Sequence, residues 1–353
     1  MTGFYYIPPC TLQIRFMKKK HIYTLLQIII FIGLGLGLIY WRYTEMSKEN
    51  KDAMLSSLQN IQWWVLIPIF FVGFLSHYFR ALRWKILLRT VDINPSTANT
   101  TFAVLIGYMA NTVVPRLGEV AKCTILAKYE KTAPEKAIGT IIGERAFDLV
   151  SLVIVMLLTL VMERAIAAQL MDQYLGRFLY GNGTGWNRIM IIAGILIISV
   201  ILLRYLFKRI KGSKLGQLFK NLGEGITSVW RLKERGKFLL YTVLIWLMYT
   251  LMVYIGYQAL EATTGLNMTS ALAIIAFGSI GMIVTPGGIG TYPLIVSAVL
   301  LLFGINEGVG QAFGWICWSV QTVLVLVLGL FSLILLPVVN KHKKDGQTSA
   351  HTS

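Results

Sequence analysis

The chain has 353 residues, of which 56% are hydrophobic and only 14% charged, and its mean hydropathy is +0.65. A soluble globular domain carries about 25% charged residues, so that class is excluded and an all-α polytopic membrane protein is expected. The net charge of +17 would suit a nucleic-acid partner in a soluble protein, yet here the basic residues follow a membrane topology pattern, and no nucleic-acid partner is expected.

Residues 1–21 read as a basic cytoplasmic segment. The stretch "RFMKKKHIYTLLQIIIFIGLGLGLIYW" then enters an apolar run with no small-residue cleavage site after it. It is expected to remain as a first helix and not to leave as a signal peptide. Crossing a bilayer takes about 20 apolar residues. Six stretches meet that length: 22–41, 61–79, 138–162, 187–207, 238–260 and 310–337, within a single membrane domain over 22–337. Gly33 and Gly37 form a G-x-x-x-G pair in the first of them, a helix-packing signal. The tail 338–353, "VVNKHKKDGQTSAHTS", has the composition of a disordered cytoplasmic segment.

Two further apolar regions are interrupted. Residues 99–128 break at "PRLGE" and residues 268–304 break at "PGGIG". A single crossing by 99–114 would strand Lys122, Lys128, Lys131 and Lys136 outside. A re-entrant hairpin over 99–128 keeps them inside, as the positive-inside rule requires. This arrangement puts 24 basic residues on the inner side, among them Arg80, Arg83, Lys85 and Arg89, against six on the outer side. Both termini are then cytoplasmic. The second hairpin, 268–304, enters from outside. The expected architecture is six full transmembrane helices plus two opposed re-entrant helical hairpins, an inverted repeat of the kind transporters use.

The breaks carry the chemistry. Irregular backbone at membrane depth is tolerated only where protein or a wet cavity satisfies it. The first tip holds Asn111, Pro115, Arg116, Gly118, Glu119 and Lys122; Arg116 and Glu119 share a helix face, as do Glu119 and Lys122. The following span, "AIGTIIGERAFDLVSLVIVMLLTL", carries Glu144, Arg145 and Asp148 about 9–15 Å along it. Each ionisable group at a helix centre costs about 2.5–3.5 kcal/mol, so the three need partners or water. The second tip offers Thr285, Pro286, Gly287, Gly288 and Gly290 without charge. In both hairpins the returning half-helix points its free N–H groups at the break, and helix N-termini suit anions. A phosphate-bearing headgroup fits that pattern. A purely structural ion-pair network is the bland alternative.

Cys10, Cys123 and Cys317 are too dispersed for a disulfide framework. His21, His77, His342 and His351 do not cluster, and no H-E-x-x-H, G-x-S-x-G, Walker or dinucleotide motif occurs. Neither metal nor cofactor is expected. Residues 208–237 are basic and repeat Leu215, Leu218, Phe219, Leu222, Ile226 and Val229 at helical spacing. They read as an amphipathic helix held by anionic inner-leaflet lipids, or as a linker helix packed under the bundle.

The segments "GYMANTVVPRLGEVAKCTIL", "GERAFDLV" and "TPGGIGTYP" together resemble the lysylphosphatidylglycerol synthase transmembrane-domain family, a flippase-like membrane module. The similarity covers about residues 15–340, with the three motifs in the family's order. The resemblance implies lipid handling, with Asn111, Pro115, Arg116, Gly118, Glu119, Lys122, Glu144, Arg145, Asp148, Pro286, Gly287, Gly288 and Gly290 carrying over. Many relatives have a glutamate shortly after the P-G-G-x-G turn; Pro293 stands there in this chain. The resemblance also implies a synthase domain in the fused relatives, which this chain lacks, so aminoacyl transfer is not expected of it. The leading expectation is a lipid transporter or flippase of the bacterial inner membrane, with no bond-making chemistry. A membrane-embedded transferase and a non-catalytic partner subunit of a separate synthase are the alternatives.

Overall fold

The computed structural model describes residues 33, 35, 37–114, 117–164 and 232–349. Helical residues 37–45 precede α1 (Lys48–Gln59), α2 (Leu66–Arg89), α3 (Thr97–Val113), α4 (Leu117–Glu130), α5 (Pro134–Met162), α6 (Arg235–Gly256), α7 (Met268–Val284), α8 (Thr291–Leu302) and α9 (Glu307–Ser349). No strand occurs among the described residues. Among the described residues four stretches are long and apolar enough to cross a membrane: Trp63–Arg89, Pro134–Met162, Arg235–Ala259 and Glu307–Lys341. They coincide with four of the six predicted spans. The predicted span 187–207, most of 22–41, and residues 208–231 of the basic connector lie outside the described residues.

Local chemistry sets the helix boundaries. The Ser96 hydroxyl accepts from the Asn99 amide at the start of α3, and the Asn267 side chain accepts from the Ser270 amide at the start of α7. These N-caps satisfy donors that have no partner within the helix. Pro134 opens α5, where its missing N–H costs nothing. Between α7 and α8, Gly287, Gly288 and Gly290 have φ of 68°, 73° and 77°, a left-handed backbone that glycine adopts without penalty. That turn ends α7 after 17 residues, about 25 Å.

Contacts at the helix ends fix the layout. At one end of the bundle, Asn99 and Asn340 exchange side-chain hydrogen bonds at 3.0 and 2.8 Å, Arg89 pairs with Glu234 at 2.9 Å, and Glu130 accepts from the Ser96 hydroxyl at 2.6 Å. This end gathers the close of α2, α4 and the α9 span with the beginnings of α3 and α6. At the other end, the Gln62 amide donates to the Ala259 carbonyl at 3.0 Å. There Thr269 bonds Glu163, and Glu307 takes Asn50 at 3.0 Å and also Arg42. The antiparallel pair α3–α4 therefore starts and finishes at the first end, and α7–α8 at the second. The long α9 runs past both pairs: a Cβ on Gly314 would lie 2.6 Å from Pro293 Cα, and one on Gly329 would lie 2.4 Å from Met109 Cβ.

Each pair has its own apolar core. Trp84, Leu88, Val104, Leu126, Ile141 and Phe238 pack around α3–α4; Tyr257, Ile274, Val296, Leu300 and Phe313 pack around α7–α8. The outer surface is apolar as well. Ile67, Phe71, Ile154, Leu157 and Ile334 are 58–77% exposed, an arrangement suited to lipid and not to water.

The backbone of α9 is helical to Ser349. One expectation changes. The G-x-x-x-G pair is not a packing seam among the described residues. A Cβ on Gly33 or Gly37 would meet nothing within 4 Å, whereas one on Gly35 between them would lie 2.8 Å from the Ile289 side chain.

Candidate functional site

Five helices bring polar side chains to one buried locus, and three of them supply the ionised groups. On α2, spacings of three, four and seven put His77, Arg80 and Trp84 on one face, with Arg83 beside them. On α5, Glu144 and Asp148 are one turn apart. Lys122 comes from α4, Tyr108 from α3, and Thr242 and Tyr249 from α6. Glu144 lies ten residues into α5, about 15 Å from its start. Arg83 and Glu144 are fully buried, Lys122 is 1% exposed and Arg80 7%.

The Asp148 carboxylate is the hub. It accepts from Arg83 Nη2 at 2.5 Å and from Arg80 Nη1 at 2.6 Å. Glu144 Oε1 faces the same two guanidinium groups at 3.5 Å each, and its Oε2 faces Lys122 Nζ at 3.7 Å. Arg80 Nη2 also donates to the Tyr249 hydroxyl at 3.2 Å, and Arg83 Nη1 to the Thr242 hydroxyl at 3.4 Å. Aromatic faces complete the cage. Lys122 Nζ lies 5.2 Å from the Trp84 ring centroid and 5.3 Å from that of Tyr108, and Arg83 lies 5.6 Å from that of Phe238; such contacts gain strength when desolvated.

The core of this cluster holds three cations, Arg80, Arg83 and Lys122, against two carboxylates, Glu144 and Asp148. Several of its atoms have no hydrogen-bond partner among the described residues: Lys122 Nζ, Glu144 Oε2, Arg80 Nε, Arg83 Nε and both ring nitrogens of His77. The His77 ring is 1% exposed and packs 4.9 Å from the Tyr108 ring. Buried polar groups are ordinarily paired, so this concentration of polar atoms without a hydrogen-bond partner, with an excess positive charge, is the chemical signature of the site. It can neutralise an anion.

Glu119 and Arg145 form a satellite pair at 3.1 Å that is about a third exposed. Together with Lys122–Glu144 it ties α4 to α5 by two ion pairs of opposite polarity. Of the residues expected at the first break, Asn111 closes the turn. Its Oδ1 accepts from the Gly118 amide at 2.7 Å. Gly118 is pressed against α3, where a Cβ would lie 2.0 Å from the Gly107 carbonyl oxygen. Pro115 and Arg116 lie outside the described residues.

The second break is closed on itself. The Thr285 and Thr291 hydroxyls meet at 2.6 Å, Thr291 donates to the Gly281 carbonyl at 2.7 Å, and the Trp318 indole donates to the Gly287 carbonyl at 2.6 Å. Helix α3 contacts the Pro286–Gly288 turn. No hydrogen bond or ion pair among the described residues joins Thr285, Gly287, Gly288 or Gly290 to the charged cluster. Among the described residues no three His, Cys, Asp or Glu side chains gather as a metal site.

Sequence reasoning missed Arg80, Arg83 and His77 as site residues. It counted the two arginines, and Lys122, among inner-side topology charges; the structure withdraws all three from water. The signal was present in "HYFRALRW", whose spacing aligns His77, Arg80 and Trp84 on one helix face.

Comparison with known proteins places these residues in a wider group. The family model described as the lysylphosphatidylglycerol synthase TM region matches residues 25–329, a stretch that contains the whole cluster and both breaks. A UPF0104 membrane protein of Methanothermobacter thermautotrophicus is 26% identical over 263 residues, covering 65% of this chain and 73% of the relative. A UPF0104 membrane protein of Pyrococcus horikoshii is 24% identical over 310 residues, covering 79% and 88%. No solved structure matches the chain.

Proposed function

This chain belongs to the family of the lysylphosphatidylglycerol synthase TM region, and from that premise we propose that it is a multi-pass transporter that moves a phospholipid or lipid-linked headgroup between the leaflets of the plasma membrane. The observation that carries the reading is the buried excess of positive charge around Lys122 and Arg80. An anionic headgroup that reaches Lys122 neutralises that excess while the acyl chains stay in bilayer. Lys122 and Arg145, with Arg116 of the first break, would engage the phosphate. Glu119 and Glu144 hold the same cations in its absence, and Asp148 keeps Arg80 and Arg83 in place.

In this reading the two helical pairs are re-entrant hairpins within an inverted repeat, and the chain has six full spans with both termini cytoplasmic. The opposite ends from which α3–α4 and α7–α8 start support that arrangement. The basic connector at 208–237 would sit on anionic inner-leaflet lipid. The proposal gives the chain no bond-making step. A second reading, a membrane subunit that serves a separate lipid-modifying synthase, is favoured by the family's description alone.

The test is lipid crossing in proteoliposomes, with tail-labelled phosphatidylglycerol or a labelled polyprenyl phosphate and a membrane-impermeant quencher. The wild type is expected to exceed empty vesicles, and Lys122→Met to reduce the rate at least about tenfold, the loss of a 1.4 kcal/mol interaction. Rates equal to empty vesicles for every anionic lipid would overturn the transport reading. Co-purification of a soluble transferase with no lipid movement would favour the subunit.

A further inference from the structure

At the end of the bundle where α5 finishes and α7 begins, a cleft of about 750 Å³ opens between the α1–α2 connection and the α6–α7 connection. That is within the roughly 300–1,000 Å³ of ordinary small-molecule sites. Its walls are set before any ligand arrives. The Gln62 amide bonds the Ala259 carbonyl at 3.0 Å across the two connections. The buried Thr263 hydroxyl bonds the Tyr257 and Leu260 carbonyls at 2.7 and 2.9 Å.

Ser56, Asn60, Gln62, Trp64, Gln258 and Glu261 line the cleft, and among the described residues no Lys, Arg or His does. The side chains of Ser56, Gln62, Gln258 and Glu261 make no hydrogen bond or ion pair to another described residue, so they are free for a ligand. Trp64 is 59% exposed. Trp64 and Arg80 are 16 residues apart in one continuous helical stretch, about 24 Å, so no headgroup touches both places at once.

A lining without cations does not suit phosphate. Planar amides, a hydroxyl and one carboxylate around an indole face suit a neutral polyhydroxylated group, whose hydroxyls need paired donors and acceptors and whose C–H face lies on an aromatic ring. We propose that this cleft is a second binding site, for a neutral glycosyl group, at the far end of the molecule from the ionised cluster. The site stands on its own geometry and holds whether or not the chain transports lipid.

The experiment is saturation-transfer NMR on the full chain in sugar-free nanodiscs, titrated with maltose, cellobiose and chitobiose, and with choline as the cationic comparison. At least one disaccharide is expected to bind. Trp64→Leu and Glu261→Gln are each expected to weaken it about tenfold, the worth of one good polar or stacking contact. Both side chains are exposed, so the variants fold, which a thermal melt checks. Absence of binding by all three disaccharides, binding of choline alone, or affinity unchanged in both variants would overturn the proposal. Lys122→Met is expected to leave sugar binding unchanged, which separates this site from the transport reading.

Discussion

Asp148→Asn tests whether the charged cluster is a dry, mutually dependent unit. The carboxylate sits 2.5 Å from Arg83 and 2.6 Å from Arg80. At an effective dielectric of about 20, each contact carries about 6 kcal/mol of attraction, most of it offset by the cost of taking the ions out of water. Removing the charge leaves Arg80, Arg83 and Lys122 facing Glu144 alone. Breaking a buried pair from one side costs about 3–5 kcal/mol. Glu119→Gln removes a carboxylate from a pair of similar length, 3.1 Å, but with side chains 30% and 41% exposed; solvent-screened pairs of this kind contribute about 0–1 kcal/mol. Thermal unfolding of the detergent-solubilised protein should separate the two variants by about 5–15 °C. The combined change Arg83→Met with Asp148→Leu removes a cation and its partner together and should recover most of the loss. Equal melting temperatures for Asp148→Asn and Glu119→Gln would refute the reasoning and mean that water fills the cluster.

Three further outcomes follow from the packing. Gly118→Ala would place a methyl group 2.0 Å from the Gly107 carbonyl oxygen, forcing α3 and α4 apart and lowering stability by about 1–3 kcal/mol or more; an unchanged melting temperature would contradict the close approach. Trp84→Phe keeps an aromatic ring beside Lys122 and loses the 3.0 Å bond from the indole to Thr140, a cost of about 1 kcal/mol in the same melt. Thr291→Val removes the bond to the Gly281 carbonyl and the contact with Thr285, and should cost about 1–3 kcal/mol while leaving any lipid bound at the ionised cluster in place by native mass spectrometry.

The membrane class, four spans and the positions of both breaks were legible in the sequence because length and apolarity alone decide them. The pairing of Glu144 with Asp148 was legible as a four-residue spacing on one span. What those carboxylates pair with was not. Arg80 and Arg83 sit just past an apolar run, where basic residues ordinarily report sidedness, and only the approach of α5 to α2 reveals that they are withdrawn from water. His77 shares a helix face with Arg80 and Trp84, but a lone histidine among apolar residues reads as core until the partners of that face are known. The cleft around Trp64 was equally invisible, because it is made by two connections nearly 200 residues apart in the chain.

The two helical pairs are alike in backbone and unlike in chemistry. Both are about 25 Å antiparallel arms, entered from opposite ends and packed on α9. The first is held to its neighbours by ions: Lys122 to Glu144 and Glu119 to Arg145. The break of the second is held by glycine turns and by neutral hydrogen bonds among Thr285, Thr291, Gly281, Ile289 and the Trp318 indole, and its start is tied to neighbouring helices by Thr269 on Glu163 and Ser270 with Tyr257. An entering anion competes directly for an ion pair and hardly at all for a neutral hydroxyl–carbonyl bond, because only the former has a charge for it to replace. Of the two arms, α3–α4 is therefore the one whose ties an anion can replace.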